Sequence, residues 1–278
     1  MRRADAGIAG LLSAAQHAGN TALVCDQGAF TYAELDKRAE FLCAALSALG
    51  VKPGMTIGSA GQGCLLNLCL LHALPRLGCA FLPLDSTLPN ASLRRFIELG
   101  KVAVLVAADA IVEGVSYIRP EQLPAMDAGP EPGSACLTPL SGSSPHWLIC
   151  TSGTEGAGKL VALTGDQLLS SVRASRERLE FSASDCWLLC LPMFHVGGLM
   201  IPLRCAEAGA TLVLHEDYDP ARLWDDLHRC QVTHISLVPA MLARLLQHSA
   251  GQPPPGHLRV VLVGGGALPA GLAQAALD

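Results

Sequence analysis

The sequence predicts an α/β protein in which helices cover largely parallel sheets. Short apolar runs typical of buried strands alternate with helical periodicities along nearly the whole chain. Half of the residues are hydrophobic and only 15% are charged, so the 278-residue chain can bury a large core in one or two domains. Aromatic residues make up only 4% of the chain, and the core is therefore expected to be aliphatic.

The first part of the chain shows this alternation. Thr31 and Glu34 have capping-box spacing at the start of a helix that Gly50 ends, and Pro53 prevents the helix from resuming. Pro75 is expected to kink or shorten the next helix, because proline removes a hydrogen bond and clashes with the preceding turn. Strands are predicted at 55–59, 79–84 and 102–107, and helices at 64–77 and 90–99.

A connector is predicted at about 119–145, where six prolines interrupt all periodicity. It divides the chain into a subdomain at about 1–118 and a second subdomain at about 146–278. Strands of the second subdomain are predicted at 147–150, 160–163, 187–191, 210–214, 233–238 and 258–263. Its helices are predicted at 166–179, 198–208, 220–230, 239–248 and 268–277.

The composition disfavours several classes of protein. The net charge is −5 and no basic cluster occurs, which argues against nucleic acid or an anionic membrane as the main partner. The longest apolar run, 64–74, is too short for a membrane span, which needs about 20 apolar residues. Eleven cysteines occur without a C-x-x-C pair, which predicts core thiols in a reducing cytoplasm rather than disulfides or metal ligands.

The most informative segment is the loop 151–159, which follows the apolar run 147–150. Glycines, hydroxyls and a lysine after a buried strand are suited to phosphate. Backbone N–H groups and hydroxyls donate hydrogen bonds to phosphate oxygens, and an ammonium adds positive charge. The candidate phosphate-binding residues are Thr151, Ser152, Gly153, Thr154, Gly156 and Lys159.

A P-loop NTPase is the minor interpretation of this segment. Gly153, Gly158 and Lys159 satisfy G-x-x-x-x-G-K, but Leu160 stands where a Ser or Thr should bind Mg²⁺. A P-loop also needs a helix that starts at the lysine, whereas 160–163 is an apolar run typical of a strand. The pattern therefore favours a hairpin whose loop closes over the phosphates of a nucleotide.

The loop resembles the signature T-S-G-T-T-G-x-P-K-G of the acyl-adenylate-forming superfamily, which contains acyl-CoA synthetases, peptide-synthetase adenylation domains and luciferases. Glu155 replaces a threonine of this signature, Gly158 a proline and Leu160 a glycine. A carboxylate at 155 repels phosphate unless it points outward or neighbours a metal, and glycine at 158 is expected to make the loop more flexible. Similar segments follow in the family's order at 30–35 (FTYAEL), 77–85 (LGCAFLPLD), 191–199 (LPMFHVGGL), 236–242 (SLVPAML) and 258–268 (LRVVLVGGGAL).

The 185–268 stretch is most similar to the o-succinylbenzoate–CoA ligase branch of the superfamily. The resemblance implies that a carboxylic acid attacks the α-phosphate of ATP to give an acyl-AMP, and that the acyl group is then transferred to coenzyme A. It places Lys159 at the β- and γ-phosphates as a catalytic residue. It places His195 beside the acyl carboxylate and the adenylate, next to a close backbone approach at Gly197 and Gly198. The implied adenine and acyl pocket is bordered by Gly264, Gly265, Gly266 and Ala267.

The resemblance covers only the large N-terminal domain of such ligases. The segment whose glutamate helps to hold Mg²⁺, and the small lid domain with its catalytic lysine, find no counterpart, so no metal ligand is predicted in 1–278. The chain is therefore expected to be a fragment, incomplete at its C-terminal end and inactive alone. An exposed sheet edge or apolar surface would favour a homodimer. The alternative function is a non-catalytic module that binds nucleotide or acid, or acts as a scaffold.

Overall fold

The computed structural model describes residues 7–12, 17–61, 64–123, 139–151 and 158–277. Over these ranges the fold is α/β, as predicted, and the chain divides into two compact units. The first unit comprises residues 1–18 and 32–171, and the second comprises residues 19–31 and 172–278. Each unit contains its own sheet of six strands.

The strands and helices follow one another in the predicted alternation. The strands are β1 Thr21–Cys25, β2 Gly28–Thr31, β3 Thr56–Ala60, β4 Ala80–Leu84, β5 Val102–Val106, β6 Ser116–Ile118, β7 Pro145–Thr151, β8 Lys159–Thr164, β9 Cys186–Leu189, β10 Thr211–Leu214, β11 His234–Leu237 and β12 Val260–Val263. The helices are α1 Tyr32–Ala48, α2 Cys64–Ala73, α3 Asn90–Leu99, α4 Gly165–Leu179, α5 Val196–Ala208, α6 Pro220–Arg229, α7 Pro239–Ser249 and α8 Ala270–Leu277.

Pro75 shortens α2, as the sequence predicts. The α-helix stops at Ala73 and continues as a 3₁₀ turn over Leu74–Leu77. Gly78 then adopts the left-handed conformation with φ of 72°, and the chain turns directly into β4. Proline at 75 cannot donate to the carbonyl four residues earlier, which removes the bond that the α-helix needs at this turn. After this tighter turn, the apolar residues of β4 enter the sheet.

The sheet of the first unit has the strand order β6-β5-β3-β4-β7-β8. All neighbouring strands are parallel except β8, which lies antiparallel to β7 at one edge. Helix α3 packs against this sheet through Leu93, Phe96 and Ile97, which join a buried cluster with Leu82 and Leu148. The helix is thereby held beside the end of β7 that leads into the candidate phosphate loop.

The sheet of the second unit has the order β12-β11-β9-β10-β1-β2. It is parallel except for β2, which pairs antiparallel with β1 at the edge. One buried cluster is aliphatic, as the low aromatic content predicts, and contains Leu188, Leu223, Ile235 and Leu242, whereas the buried Trp187 and Phe181 pack edge to face at 5.1 Å in the same unit. Short strands that are buried along their whole length, such as β9 and β11, are typical of parallel sheets covered by helices.

The two units have different boundaries from the predicted subdomains at 1–118 and 146–278. The hairpin β7–β8 joins the first unit because β7 pairs in parallel with β4, where Phe81 lies opposite Trp147. The hairpin β1–β2 joins the second unit because β1 pairs with β10, where Leu23 lies opposite Leu212. Of the predicted connector at 119–145, the part 124–138 lies outside the described residues.

Among the described helices, none combines the length and the apolar character that crossing a membrane requires. No disulfide joins any of the cysteines in the described ranges.

We predict that the buried His72 makes the protein sensitive to acid. Burial lowers the pKa of His72 to about 3, and the nearby charge of Arg76 acts in the same direction. The unfolded chain binds this proton below pH of about 6.5, so the free energy of unfolding should fall as the pH drops from there, by about 1.4 kcal/mol per pH unit. Denaturant unfolding between pH 7 and pH 4 should show a shallower pH dependence for His72→Leu than for the wild type.

The exposed His248 provides the matched control for this experiment, and His248→Gln should keep the wild-type slope. An unchanged slope in His72→Leu would contradict the assignment.

Candidate functional site

The candidate phosphate loop is the connection of a β-hairpin. Strands β7 and β8 pair antiparallel, with Cys150 opposite Leu160 and Thr151 opposite Lys159 as the last pair before the loop. The hydroxyl of Thr151 donates a hydrogen bond of 3.3 Å to the carbonyl oxygen of Lys159. The predicted return strand is confirmed, and the P-loop interpretation is wrong because a strand, not a helix, begins at Lys159.

The side chains that flank the loop are exposed. Both Thr151 and Lys159 lie at the surface, and the Lys159 ammonium has no carboxylate within salt-bridge distance among the described residues. The ammonium is suited to an anion, and the Thr151 hydroxyl can donate to one by turning away from the Lys159 carbonyl oxygen, since it carries a single proton. Four of the predicted phosphate-binding residues lie outside the described residues, namely Ser152, Gly153, Thr154 and Gly156.

Glycine at 158 is explained by packing. A β-carbon added there would lie 2.5 Å from Cζ of Phe96 and 3.1 Å from the carbonyl oxygen of Thr151. The φ of Gly158 is not positive, so its backbone conformation is open to any residue. The sequence pattern suggested only added flexibility at this position. No local sequence pattern indicates that Phe96 contacts Gly158, because the two residues are 62 positions apart in the chain.

His195 is the residue that precedes α5 in the second unit. Its carbonyl oxygen accepts hydrogen bonds from the N–H groups of Gly198 and Leu199, at 3.1 and 3.0 Å, and so begins the helix. Its imidazole is exposed, forms no capping bond to α5, and lies edge-on to the Phe194 ring at a centroid distance of 4.7 Å. The fold therefore positions the backbone of His195 and leaves its ring nitrogens accessible to a ligand.

The two glycines after His195 differ in what they contact. A β-carbon at Gly198 would lie 2.3 Å from the carbonyl oxygen of Pro192, whereas one at Gly197 would meet only Leu191 at 3.7 Å. Gly198 is buried and Gly197 is exposed. The close approach at Gly198 is therefore made by the chain's own backbone, and only Gly197 leaves space beside the helix start.

The glycine turn at 264–267 follows β12. The N–H of Gly264 donates to the carbonyl oxygen of Leu237 at 3.1 Å, which continues the parallel pairing of β11 and β12 by one residue. Gly265 has φ of 75° and therefore needs glycine for its conformation. A β-carbon at Gly264 would contact nothing within 4 Å, and one at Gly266 would meet only Pro239 at 3.9 Å. The turn thus exposes open backbone on both sides of Gly265.

His195 and the glycine turn lie at one edge of the second sheet. Strands β9, β11 and β12 are parallel neighbours, so their carboxyl ends meet at the same edge. His195 lies six residues after the end of β9, and Gly264 directly follows β12. Ligands of open α/β sheets favour this edge. The structure therefore places these two predicted parts of the site at one edge of the second unit's sheet, and the hairpin with Thr151 and Lys159 belongs to the first unit.

A buried hydrogen bond between His215 and Asp226 lies at the same edge beside β10. Nε2 of His215, directly after β10, lies 2.9 Å from Oδ2 of Asp226 on α6, and Arg229 contacts the other carboxylate oxygen. Burial lowers the pKa of His215, although the hydrogen bond to Asp226 opposes this effect. Burial alone would raise the pKa of Asp226, but hydrogen bonds from Arg229 and His215 lower it below its usual value. This pair ties α6 to the sheet.

The family model described as AMP-binding enzyme matches residues 12–278. The chain belongs to this family. Among curated relatives, it is 30% identical over 253 residues to a 2-succinylbenzoate–CoA ligase of Bacillus cytotoxicus, covering 89% of this chain and 51% of the relative. It is 31% identical over 252 residues to the ligase of the same name from Listeria innocua, covering 89% and 52%. The chain spans about half the length of the curated relatives it matches.

Solved structures show the same fold. The o-succinylbenzoate coenzyme A synthetase of Bacillus subtilis in complex with ATP and magnesium matches with a TM-score of 0.85 and 27% identity, over 95% of this chain and 56% of that one. The N-terminal domain of FACL13 from Mycobacterium tuberculosis matches with a TM-score of 0.82 and 22% identity, over 97% and 72%. The predicted fold class, the large N-terminal domain of an adenylate-forming ligase, is confirmed.

We predict that Gly198→Ala destabilises the protein and that Gly197→Ala does not. The added β-carbon at 198 meets a backbone carbonyl that cannot rotate away, which should cost about 1–3 kcal/mol of unfolding free energy. At the exposed position 197, alanine should be neutral or stabilising, by up to about 1 kcal/mol, because it favours the helix over glycine. Denaturant unfolding of the two variants makes the comparison, and equal stabilities would refute the role assigned to the Gly198 contact.

Proposed function

We propose that the protein to which this chain belongs activates a carboxylic acid with ATP to form an acyl-AMP and pyrophosphate, and then transfers the acyl group to coenzyme A. The observation that carries the proposal is the hairpin closed by Thr151 and Lys159, in a chain whose family match spans 12–278. Relatives named as CoA ligases, and a related synthetase solved with ATP and magnesium, support it.

The proposed substrate is a small carboxylic acid of the o-succinylbenzoate class. Relatives from Bacillus and Listeria carry the name 2-succinylbenzoate–CoA ligase, and a related synthetase was solved with the acyl-adenylate of o-succinylbenzoate. The exposed imidazole of His195 supports an acid without an α-amino group, because it offers an N–H donor to a carboxylate and no negative charge to an ammonium.

The proposed residue roles are those that the family resemblance implies, and the exposure of the residues supports them. The Lys159 ammonium and the Thr151 hydroxyl neutralise and orient the β- and γ-phosphates, where the reaction needs charge stabilisation rather than covalent help. The His195 imidazole positions the acyl carboxylate. The open backbone at Gly264 and Gly266 lets the adenylate approach the chain closely.

Among the described residues no cluster of three or more His, Cys, Asp and Glu side chains can hold a metal ion.

We predict that Lys159→Ala weakens ATP binding by about ten- to a hundredfold, because a charged hydrogen bond to phosphate contributes about 1.5–3 kcal/mol. The measurement is calorimetric titration of the chain with Mg·ATP. Lys52→Ala is the matched control and should bind like the wild type, since Lys52 is an exposed lysine of the same unit that precedes β3, whereas the loop follows the carboxyl end of the parallel strand β7.

The same titration separates the ligase from a scaffold. Absence of ATP binding in the wild type would contradict the proposed function and favour a scaffold that binds no nucleotide. We further propose that the isolated 278 residues give little ATP–pyrophosphate exchange on their own. Exchange at the rate of complete ligases would overturn that part.

We also propose that the protein acts in the cytoplasm and that the isolated chain forms a homodimer through the β12 edge. The absence of disulfides among the described cysteines supports the reducing compartment. Strand β12 is the outer strand of its sheet over the described residues, and Val261 and Leu262 on it are 41% and 39% exposed. The neighbouring α8 has no buried residue, and its Leu277 is 83% exposed. Apolar strand edges of this kind pair readily with a second chain.

We predict that the isolated chain dimerises in sedimentation-velocity experiments and that Val261→Lys shifts it to the monomer. A charge on the paired edge disfavours strand association. Val161 on the β8 edge of the other sheet is equally exposed, at 42%, and Val161→Lys is the matched control that should remain dimeric. A monomeric wild type, or loss of the dimer in the control alone, would contradict the assignment to β12.

A further inference from the structure

Phe96 on α3 touches the base of the candidate phosphate loop. Two atoms of its ring, Cζ and Cε1, would lie 2.5 and 3.1 Å from a β-carbon at Gly158. The ring edge therefore packs directly on the backbone of Gly158, one residue before Lys159. The carbonyl oxygen of Thr151 would lie 3.1 Å from the same β-carbon. The backbone at 158 is thus packed closely against both an aromatic ring and the end of β7.

The ring itself is firmly anchored. Phe96 is only 6% exposed and belongs to a buried cluster with Leu82, Leu84 and Leu148. Cys150, at the end of β7, and Leu160, at the start of β8, pack against the same cluster. Both legs of the hairpin therefore rest on the residues that hold the Phe96 ring.

The last turn of α3 is held equally closely. A β-carbon at Gly100, directly after the helix, would lie 2.8 Å from Cδ2 of Leu82 and 3.5 Å from Cδ2 of Leu160. Helix α3 is consequently pressed onto both β4 and β8. Because interiors are close-packed, the Phe96 ring cannot withdraw from Gly158 without a shift of its neighbours.

This packing explains why the loop departs from the family signature at 158. The signature carries proline there, which stiffens the backbone through its ring. Proline has a β-carbon, so it cannot share the present geometry with the Phe96 ring. In this chain the backbone at 158 is restrained from outside, by a side chain of α3.

We propose that Phe96 is a positioning residue for the phosphate-binding hairpin: by packing on Gly158 it orders the neck of the loop and so directs Lys159 toward the nucleotide. The proposal rests on the proposed function for its ligand, ATP. Phe96 acts through Gly158 and touches no reacting atom. An ordered neck lowers the entropy that binding must remove, so its loss should appear in affinity.

The test compares Phe96→Leu with Leu93→Val in calorimetric titrations with Mg·ATP and in thermal unfolding. Leu93 lies on the same helix and in the same cluster, is 1% exposed, and is the matched control for core packing alone. Both variants should lower the melting temperature. Only Phe96→Leu should weaken ATP binding, by about tenfold, the equivalent of one preorganised contact. Equal ATP affinities of the two variants would overturn the proposal.

A second comparison isolates the contact itself. Gly158→Ala should weaken ATP binding in the wild-type background, because its β-carbon displaces the Phe96 ring or the loop. In the Phe96→Leu background the same change should cost little, since leucine lacks both Cζ and Cε1. Such coupling is the mark of a direct interaction. Additive effects of the two substitutions would count against the contact.

Hydrogen exchange tests the positioning role of Phe96 independently of whether the protein binds ATP. Backbone amides at 159–161 should exchange faster in Phe96→Leu than in Leu93→Val, whether or not ATP binds. A wild type that fails to bind ATP, with faster exchange in Phe96→Leu alone, would refute the ligase function and retain the positioning of the hairpin. Unchanged exchange in Phe96→Leu, with wild-type binding of ATP, would refute the positioning role alone.

Discussion

Parallel pairing of buried strands is the constraint on which each unit depends. Strand β9 pairs with β10 on one side and with β11 on the other, and β11 pairs with β12. Parallel strands need long crossovers, which the helices provide, and their carboxyl ends meet at one edge. The segments that follow β9 and β12 therefore lie at the same edge of the sheet, with β11 between the two strands, although they are about 70 residues apart in the chain. His195 and the glycine turn owe their shared edge to this arrangement.

The antiparallel exceptions lie at the edges. Each sheet has a single antiparallel strand, β8 in the first unit and β2 in the second, and each is the outer strand of its sheet. A hairpin at an edge can carry a loop that projects beyond the sheet without interrupting its core. In the first unit this position holds Thr151 and Lys159, with the adjacent helix α3 packed against the hairpin that bears them.

Close contacts to glycine connect the core to the candidate site. A β-carbon added at Gly158 would clash with the Phe96 ring, and one added at Gly198 would clash with the carbonyl oxygen of Pro192. Gly264 and Gly266 meet no such neighbour and leave their backbone open. Gly158 and Gly198 therefore allow the chain to pack closely on itself, whereas Gly264 and Gly266 leave space beside the backbone.

The sequence by itself determined the α/β class, most elements and the hairpin at the phosphate loop. Helix α4 was predicted at 166–179 and spans Gly165–Leu179, because periodicity and proline act locally. The strands β1, β2 and β6 escaped prediction, since each lies at or beside a sheet edge, is only partly buried and lacks the wholly apolar sequence of a strand such as β9. Only the tertiary structure decided which sheet each hairpin joins, and that Phe96 packs on Gly158. Strand pairing and side-chain packing join residues far apart in the chain, and no local pattern records such contacts.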